Sequence, residues 1–142
     1  MKNAEKATER FSVRCNCAQS VFSAYAPDLG LDEELALKIA SGFGAGMGRQ
    51  CETCGAVTGA YMVIGLKCGH ISSGDKEGKE KTYAMVQEFS RRFKERNQST
   101  LCEQLLGTHL VTGDKEKAER QVKELCPKLV RDSAEILDAM LE

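Results

Sequence analysis

Hydrophobic positions along the chain recur mainly at three- and four-residue steps, the period of helices lying on a shared core. No segment alternates Val, Ile, Thr and Tyr between hairpin turns, and runs of Ala, Glu, Lys, Leu and Gln with only two prolines favour helix. The pattern predicts a first helix from about Ala4 to Val13. A second follows Asn16 and places Cys17, Val21 and Tyr25 on one stripe until Pro27 ends it. Asp32, with Glu33 and Glu34 in the first turn, opens a third helix expected to bury Leu35, Ile39 and Ala40 and to run down at Gly42.

Gly42 to Gly48 reads as a glycine-dense loop. The segment after it, about 54–67, is almost wholly apolar and is expected to be the central helix, with Gly55, Ala56, Gly59 and Ala60 slim enough for another backbone to come close. SSGDKEG is a polar turn before a long helix that points Met85, Val86, Phe89 and Phe93 inward. Thr100 and Glu103 match a capping box for a short helix ending at Gly107. Asp114 starts a charged helix to about Leu125, and Pro127 suits the first position of a last helix carrying Leu129, Ile136, Leu137 and Met140 inward. The expectation is therefore an all-α, single-domain bundle over 1–142, with six to seven helices around a central apolar Gly/Ala-rich helix at about 54–67.

Composition removes several functions. A chain of 142 residues buries enough surface to fold without disulfides. Its 20 basic and 21 acidic residues are mixed, so no field favours nucleic acid or an anionic membrane, and the absence of Trp argues against an aromatic base-stacking platform. MKNAEKATER lacks a signal-peptide core, and the longest apolar stretch, 55–66, falls short of the ~20 residues needed to span a bilayer. The expected compartment is cytoplasmic, without membrane insertion. Permanent disulfides are rare there, so seven cysteines raise redox and metal chemistry as well as packing.

Cys17, Cys54, Cys102 and Cys126 all fall at predicted helix starts, after Asn16, Thr53 and Thr100 and before Pro127. Unpaired N–H groups and the helix macrodipole there stabilise thiolate, the form that attacks disulfides and binds metals. The four are candidate redox thiols or, alternatively, a four-thiolate ligand set for Zn or a [2Fe-2S] cluster. Cys51 stands in C-x-x-C spacing with Cys54 and is a candidate resolving thiol, as is Cys15 for Cys17; Cys68 reads as core. No βαβ pattern supports a thioredoxin fold, Gly55 stands where a covalent haem motif needs His, and a zinc ribbon lacks its second C-x-x-C. His70 and His109 are available as ligands or bases but read as surface residues. The glycine loop matches neither G-x-G-x-x-G nor a P-loop, which excludes nucleotide binding on motif grounds.

Asn16-Cys17-Ala18-Gln19, Ser41-Gly42-Phe43-Gly44 running into Gly46-Met47-Gly48, and Cys54-Gly55-Ala56-Val57-Thr58-Gly59 followed by Ile64-Gly65-Leu66 together resemble the C_GCAxxG_C_C family. Cys102, before Glu103 to Gly107, and Cys126, before Lys128 to Val130, stand as counterparts of its two later cysteines. The resemblance implies a redox-active protein of about this length with four characteristic cysteines, here Cys17, Cys54, Cys102 and Cys126, and a CGAxxG motif. Cys15, Cys51 and Cys68 lie outside that set. Family members occur near transporter genes, which implies a redox partner or a transporter as associate and leaves a non-catalytic helical partner protein as a third reading. Cysteine pairing, the electron partner, oligomeric state and any enzyme assignment stay open at this level.

Overall fold

The computed structural model describes residues 2–13 and 15–142, with the side chain of Lys2 outside the description. Among these residues it contains seven helices and no strand: α1 (Lys2–Val13), α2 (Cys17–Tyr25), α3 (Glu33–Ala40), α4 (Gly55–Cys68), α5 (Lys76–Asn97), α6 (Cys102–Leu106) and α7 (Lys115–Met140). None is long and apolar enough to cross a membrane. The all-α expectation holds.

α4 occupies the centre because it has no polar face to give to solvent: Gly55, Ala56, Val57, Thr58, Gly59, Ala60, Val63 and Ile64 are all buried. α2 lies directly on its slim side, α5 brings Phe89 and Phe93 against it, and α7 spans the bundle and packs along α1. The two phenylalanine rings stack at 5.9 Å, and Tyr61 of α4 meets Phe89 edge-on at 6.1 Å. The Tyr25 hydroxyl at the end of α2 shares its proton between the Ala134 carbonyl at 2.9 Å and the Asp138 carboxylate at 2.7 Å, and Asn3 donates to the same carboxylate at 2.8 Å. That knot ties α1, α2 and α7 at one end. Tyr25→Phe leaves these acceptors short of a donor and is expected to lower unfolding free energy by about 1–2 kcal/mol, read from urea midpoints.

Four local expectations are corrected. α3 turns Leu35 and Ile39 outward, each 50% exposed, and buries Ala36 beside the expected Ala40. Its small residues permit the close approach to α2 that lets the Gln19 side chain donate to the Leu37 carbonyl at 3.0 Å. Thr53 does not cap α4; Cys54 itself occupies the N-cap. The capping box at Thr100 does not form either: Leu101 is the N-cap of α6, in extended backbone and without a side-chain cap.

Finally, the two helices expected around Pro127 are one, with Pro127 inside α7 and Cys126 in mid-helix. Interior proline costs about 3 kcal/mol, but here buried faces on both sides, Ala118 and Cys126 before it and Leu129 to Ala134 after it, hold the helix together. The carbonyl left without a helical donor belongs to Lys123, which is exposed and open to water.

Candidate functional site

The glycine-dense loop takes a form that hydrophobic patterning does not foresee. After a turn of 3-10 helix at Ser41–Phe43, five consecutive residues, Ala45, Gly46, Met47, Gly48 and Arg49, have φ between +57° and +68°. The Gly48 amide donates to the Gly44 carbonyl at 2.9 Å, closing one left-handed helical turn. Left-handed backbone costs L-residues about 1–2 kcal/mol each, and Ala45, Met47, Arg49 and, two residues on, Cys51 at φ +57° all adopt it. Strain of this kind persists where its surroundings over-determine it, often at functional sites.

Hydrogen bonds supply those surroundings. Cys51 and Glu52 amides donate back to the Ala45 and Gly46 carbonyls at 3.3 and 3.0 Å. The 51–54 segment then pairs antiparallel with the start of α6 through a Thr53–Leu101 bridge, with Cys102 N–H to Glu52 O at 2.7 Å and Cys54 N–H to Thr100 O at 2.8 Å. Gly46 lies under this seam: a Cβ there would stand 2.6 Å from Cys51 Cα and 2.8 Å from Cys102 Cβ. Gly55 plays the same part against α2, where a Cβ would meet the Ala18 amide nitrogen at 2.9 Å and Cys17 Cβ at 3.0 Å. The glycines are thus what allow cysteine-bearing backbones from three parts of the chain to come together.

Cys17 at the first residue of α2, Cys54 capping α4, Cys102 at the first residue of α6 and Cys126 in α7 line one cavity of about 230 Å³. Its other walls include Phe11, Leu106, Leu110, Val122 and Leu129, and among the described residues Asn16 is the only polar side chain there besides the thiols. Asn16 is occupied by its capping box with Gln19 and by a bond to the Ser41 carbonyl at 3.0 Å. No charged residue among those described reaches the cavity. All seven cysteines are free thiols.

Electrostatics differ from the helix-start expectation. Cys126 lies beside Cys17, and the interaction of the two thiols, reinforced by burial and by the neighbouring sulfurs, holds the Cys17 thiol well above its ordinary pKa. The same interaction lowers Cys126 against the opposing effect of burial. Burial pushes Cys54 up to about 12 although the Ala56 amide at the start of α4 pulls the other way. Cys102 is raised too, by burial first and then by the charges of Cys54, Cys51 and Cys126. Helix N-termini are outweighed at three thiols, and the one sulfur that favours thiolate sits in mid-helix.

This has a stability consequence with a definite sign. The fold favours protonated Cys54, so its contribution is complete below the unfolded value of ~8.5 and is lost as pH rises from there towards its folded value of about 12. Cys17 and Cys102 act in the same direction, and Cys126 in the opposite one. Urea midpoints are expected to fall between about pH 8 and about pH 10, and less steeply in Cys54→Ala. Parallel losses in the two proteins would remove Cys54 as the cause.

The other candidates lie apart. Cys15 lines a separate surface cleft with Lys6, Arg10 and Glu33, away from Cys17's cavity. Cys68 is half-buried at the end of α4. His70 meets Tyr83 edge-on, and His109 Nδ1 accepts the Val111 and Thr112 amides at 3.1 and 3.2 Å as a local turn; neither lines the cavity. Cys51 stands beside Cys102 across the antiparallel seam, whereas its C-x-x-C spacing suggests Cys54 as its partner. Sequence reasoning misses that neighbour because it depends on pairing across about fifty residues, which no local motif records.

Four thiols are the right donors for zinc or a [2Fe-2S] cluster. Among the described residues no three Cys, His, Asp or Glu side chains stand together so as to hold a metal ion.

An all-helical bundle with cysteines at four separate helices around one apolar cavity defines a class of small helical thiol proteins. The chain belongs to the C_GCAxxG_C_C family: the family described as "Putative redox-active protein (C_GCAxxG_C_C)" matches residues 15–140. No curated protein and no solved structure matches the chain.

Proposed function

We propose that the protein is a thiol redox carrier in which Cys17 and Cys126 cycle between dithiol and disulfide, with Cys54 and Cys102 as the neighbouring thiols of the same cavity. The observation that carries this reading is that Cys17 and Cys126 line the same apolar cavity and shift each other's thiols in opposite directions. It pairs a sulfur whose pKa is lowered with one whose pKa is raised. In the oxidising direction the Cys126 thiolate attacks a disulfide, forming a mixed disulfide and releasing one thiolate. Cys17 then gives up its proton, attacks the Cys126 sulfur and expels the second thiol, so two thiols become one disulfide and the electron pair leaves on the partner. Apolar walls favour both neutral states, Cys17 thiol and the finished disulfide.

Equilibration in dithiothreitol redox buffers, alkylation and peptide mapping test the reading. A Cys17–Cys126 disulfide that titrates at potentials between about −180 and −320 mV is expected. Fully reduced cysteines across that range would end the proposal. Alkylation of the reduced protein near neutral pH is expected to label Cys126 before Cys54, because only the former favours thiolate.

A further inference from the structure

Outside the cavity, the Cys51–Cys102 seam forms the wall between two spaces. Cys102 lines the inner cavity. Cys51 lines an outer surface cleft with Gln50, Glu52, Glu103, Gln104 and Thr108. The two cysteines are neighbours across antiparallel backbone, and their distances of 2.6 and 2.8 Å to one point above Gly46 keep their Cα atoms within the ~7 Å that a disulfide requires. The Cys51 sulfur also accepts the Leu110 amide at 3.2 Å, a donor placed to steady negative charge on a departing sulfur. Leu110 is itself a cavity wall. Among the described residues two acidic side chains and no basic one line the cleft.

We propose that Cys51 and Cys102 are an exchange pair that passes a disulfide between a partner seated in the outer cleft and the Cys17–Cys126 pair in the cavity. The partner is a protein segment whose disulfide is flanked by positive charge, complementary to Glu52 and Glu103. This rests on the reading of Cys17 and Cys126 as the inner redox pair. Cys51 thiolate attacks the partner disulfide, and Cys102, losing its proton to the departing sulfur, closes Cys51–Cys102 and releases the partner as dithiol. Cys126 thiolate then attacks the Cys102 sulfur and expels Cys51 thiolate beneath the Leu110 amide. Cys17 attacks Cys126 and expels Cys102, which takes the proton Cys17 loses. One disulfide moves inward and no external oxidant beyond the partner is consumed. The cavity, where no charged residue among those described stands, admits small neutral oxidants directly but disfavours charged disulfides, which must enter through Cys51.

Cystamine, a dicationic disulfide, and hydrogen peroxide, small and neutral, separate the routes. With cystamine the native protein is expected to form Cys51–Cys102 first and Cys17–Cys126 afterwards, followed by acid quench, alkylation and mass mapping. Cys51→Ser should slow Cys17–Cys126 formation by cystamine at least ~10-fold while leaving oxidation by peroxide within about twofold. Simultaneous appearance, a Cys51–Cys54 linkage, or undiminished cystamine oxidation in Cys51→Ser would overturn the relay. Should Cys51→Ser fail to fold, because its backbone is left-handed, the order of disulfides in the native protein decides alone. If Cys17–Cys126 forms with neither oxidant, the inner pair itself is wrong; if it forms equally fast without Cys51, only the relay is.

Discussion

Gly46→Val is expected to lower the free energy of unfolding by about 3–5 kcal/mol, the sum of a strained backbone and an overpacked seam. Gly46 sits at φ +65°, where valine is disfavoured, and its first added carbon would stand 2.6 Å from Cys51 Cα, 2.7 Å from the Glu52 nitrogen and 2.8 Å from Cys102 Cβ. Two of these three are backbone atoms, which cannot swing aside as a side chain end could. Relief requires opening the hydrogen bonds between 45–52 and 51–103, and with them the wall of the thiol cavity. Urea unfolding measures the loss, and labelling of Cys102 should become faster even in the fraction that stays folded. A shift under about 1 kcal/mol would show that the left-handed turn is looser than its contacts indicate. Gly42, around which an added Cβ meets nothing, is the internal control and should tolerate alanine.

Cys126→Ser carries the largest functional effect. A serine hydroxyl is near the thiol in shape but does not ionise in the accessible pH range, so the attacking thiolate disappears while the cavity stays filled. Oxidation of the cavity thiols by dithiothreitol disulfide is expected to slow on the order of 100-fold, with a change in stability of about 1 kcal/mol. The two readouts separate chemistry from folding. Cys54→Ser should have a smaller effect on rate, because Cys54 is held protonated at neutral pH by burial. Equal slowing in both variants would contradict the distinct roles of the two sulfurs.

Much of this architecture is legible in the sequence, for reasons that can be located. α4 is readable because an uninterrupted apolar segment has one stable place in a small bundle, its middle. Asn16, Asp32 and Asp114 cap helices through their side chains, a local interaction that needs no knowledge of the fold. α3 is misleading because two faces at the same period compete, and docking chooses Ala36 and Ala40, whose small side chains bring α2 close, over the larger Leu35 and Ile39. Pro127 looks like a boundary because its local cost is certain whereas the burial that offsets it is tertiary.

The same division runs through the site. Propensity, capping and chain stiffness act over a few residues, so local sequence is enough to make the molecule helical, to set Cys17, Cys54 and Cys102 at helix starts and to surround them with glycines. Which thiols share a cavity, that Cys51 faces Cys102, and that Cys126 is the sulfur favouring charge follow from the packing of the whole chain. Sulfur contacts and desolvation are set by segments about fifty to over a hundred residues apart, and these, which no local motif encodes, raise three of the four: Cys17 first through Cys126, Cys54 and Cys102 first through burial.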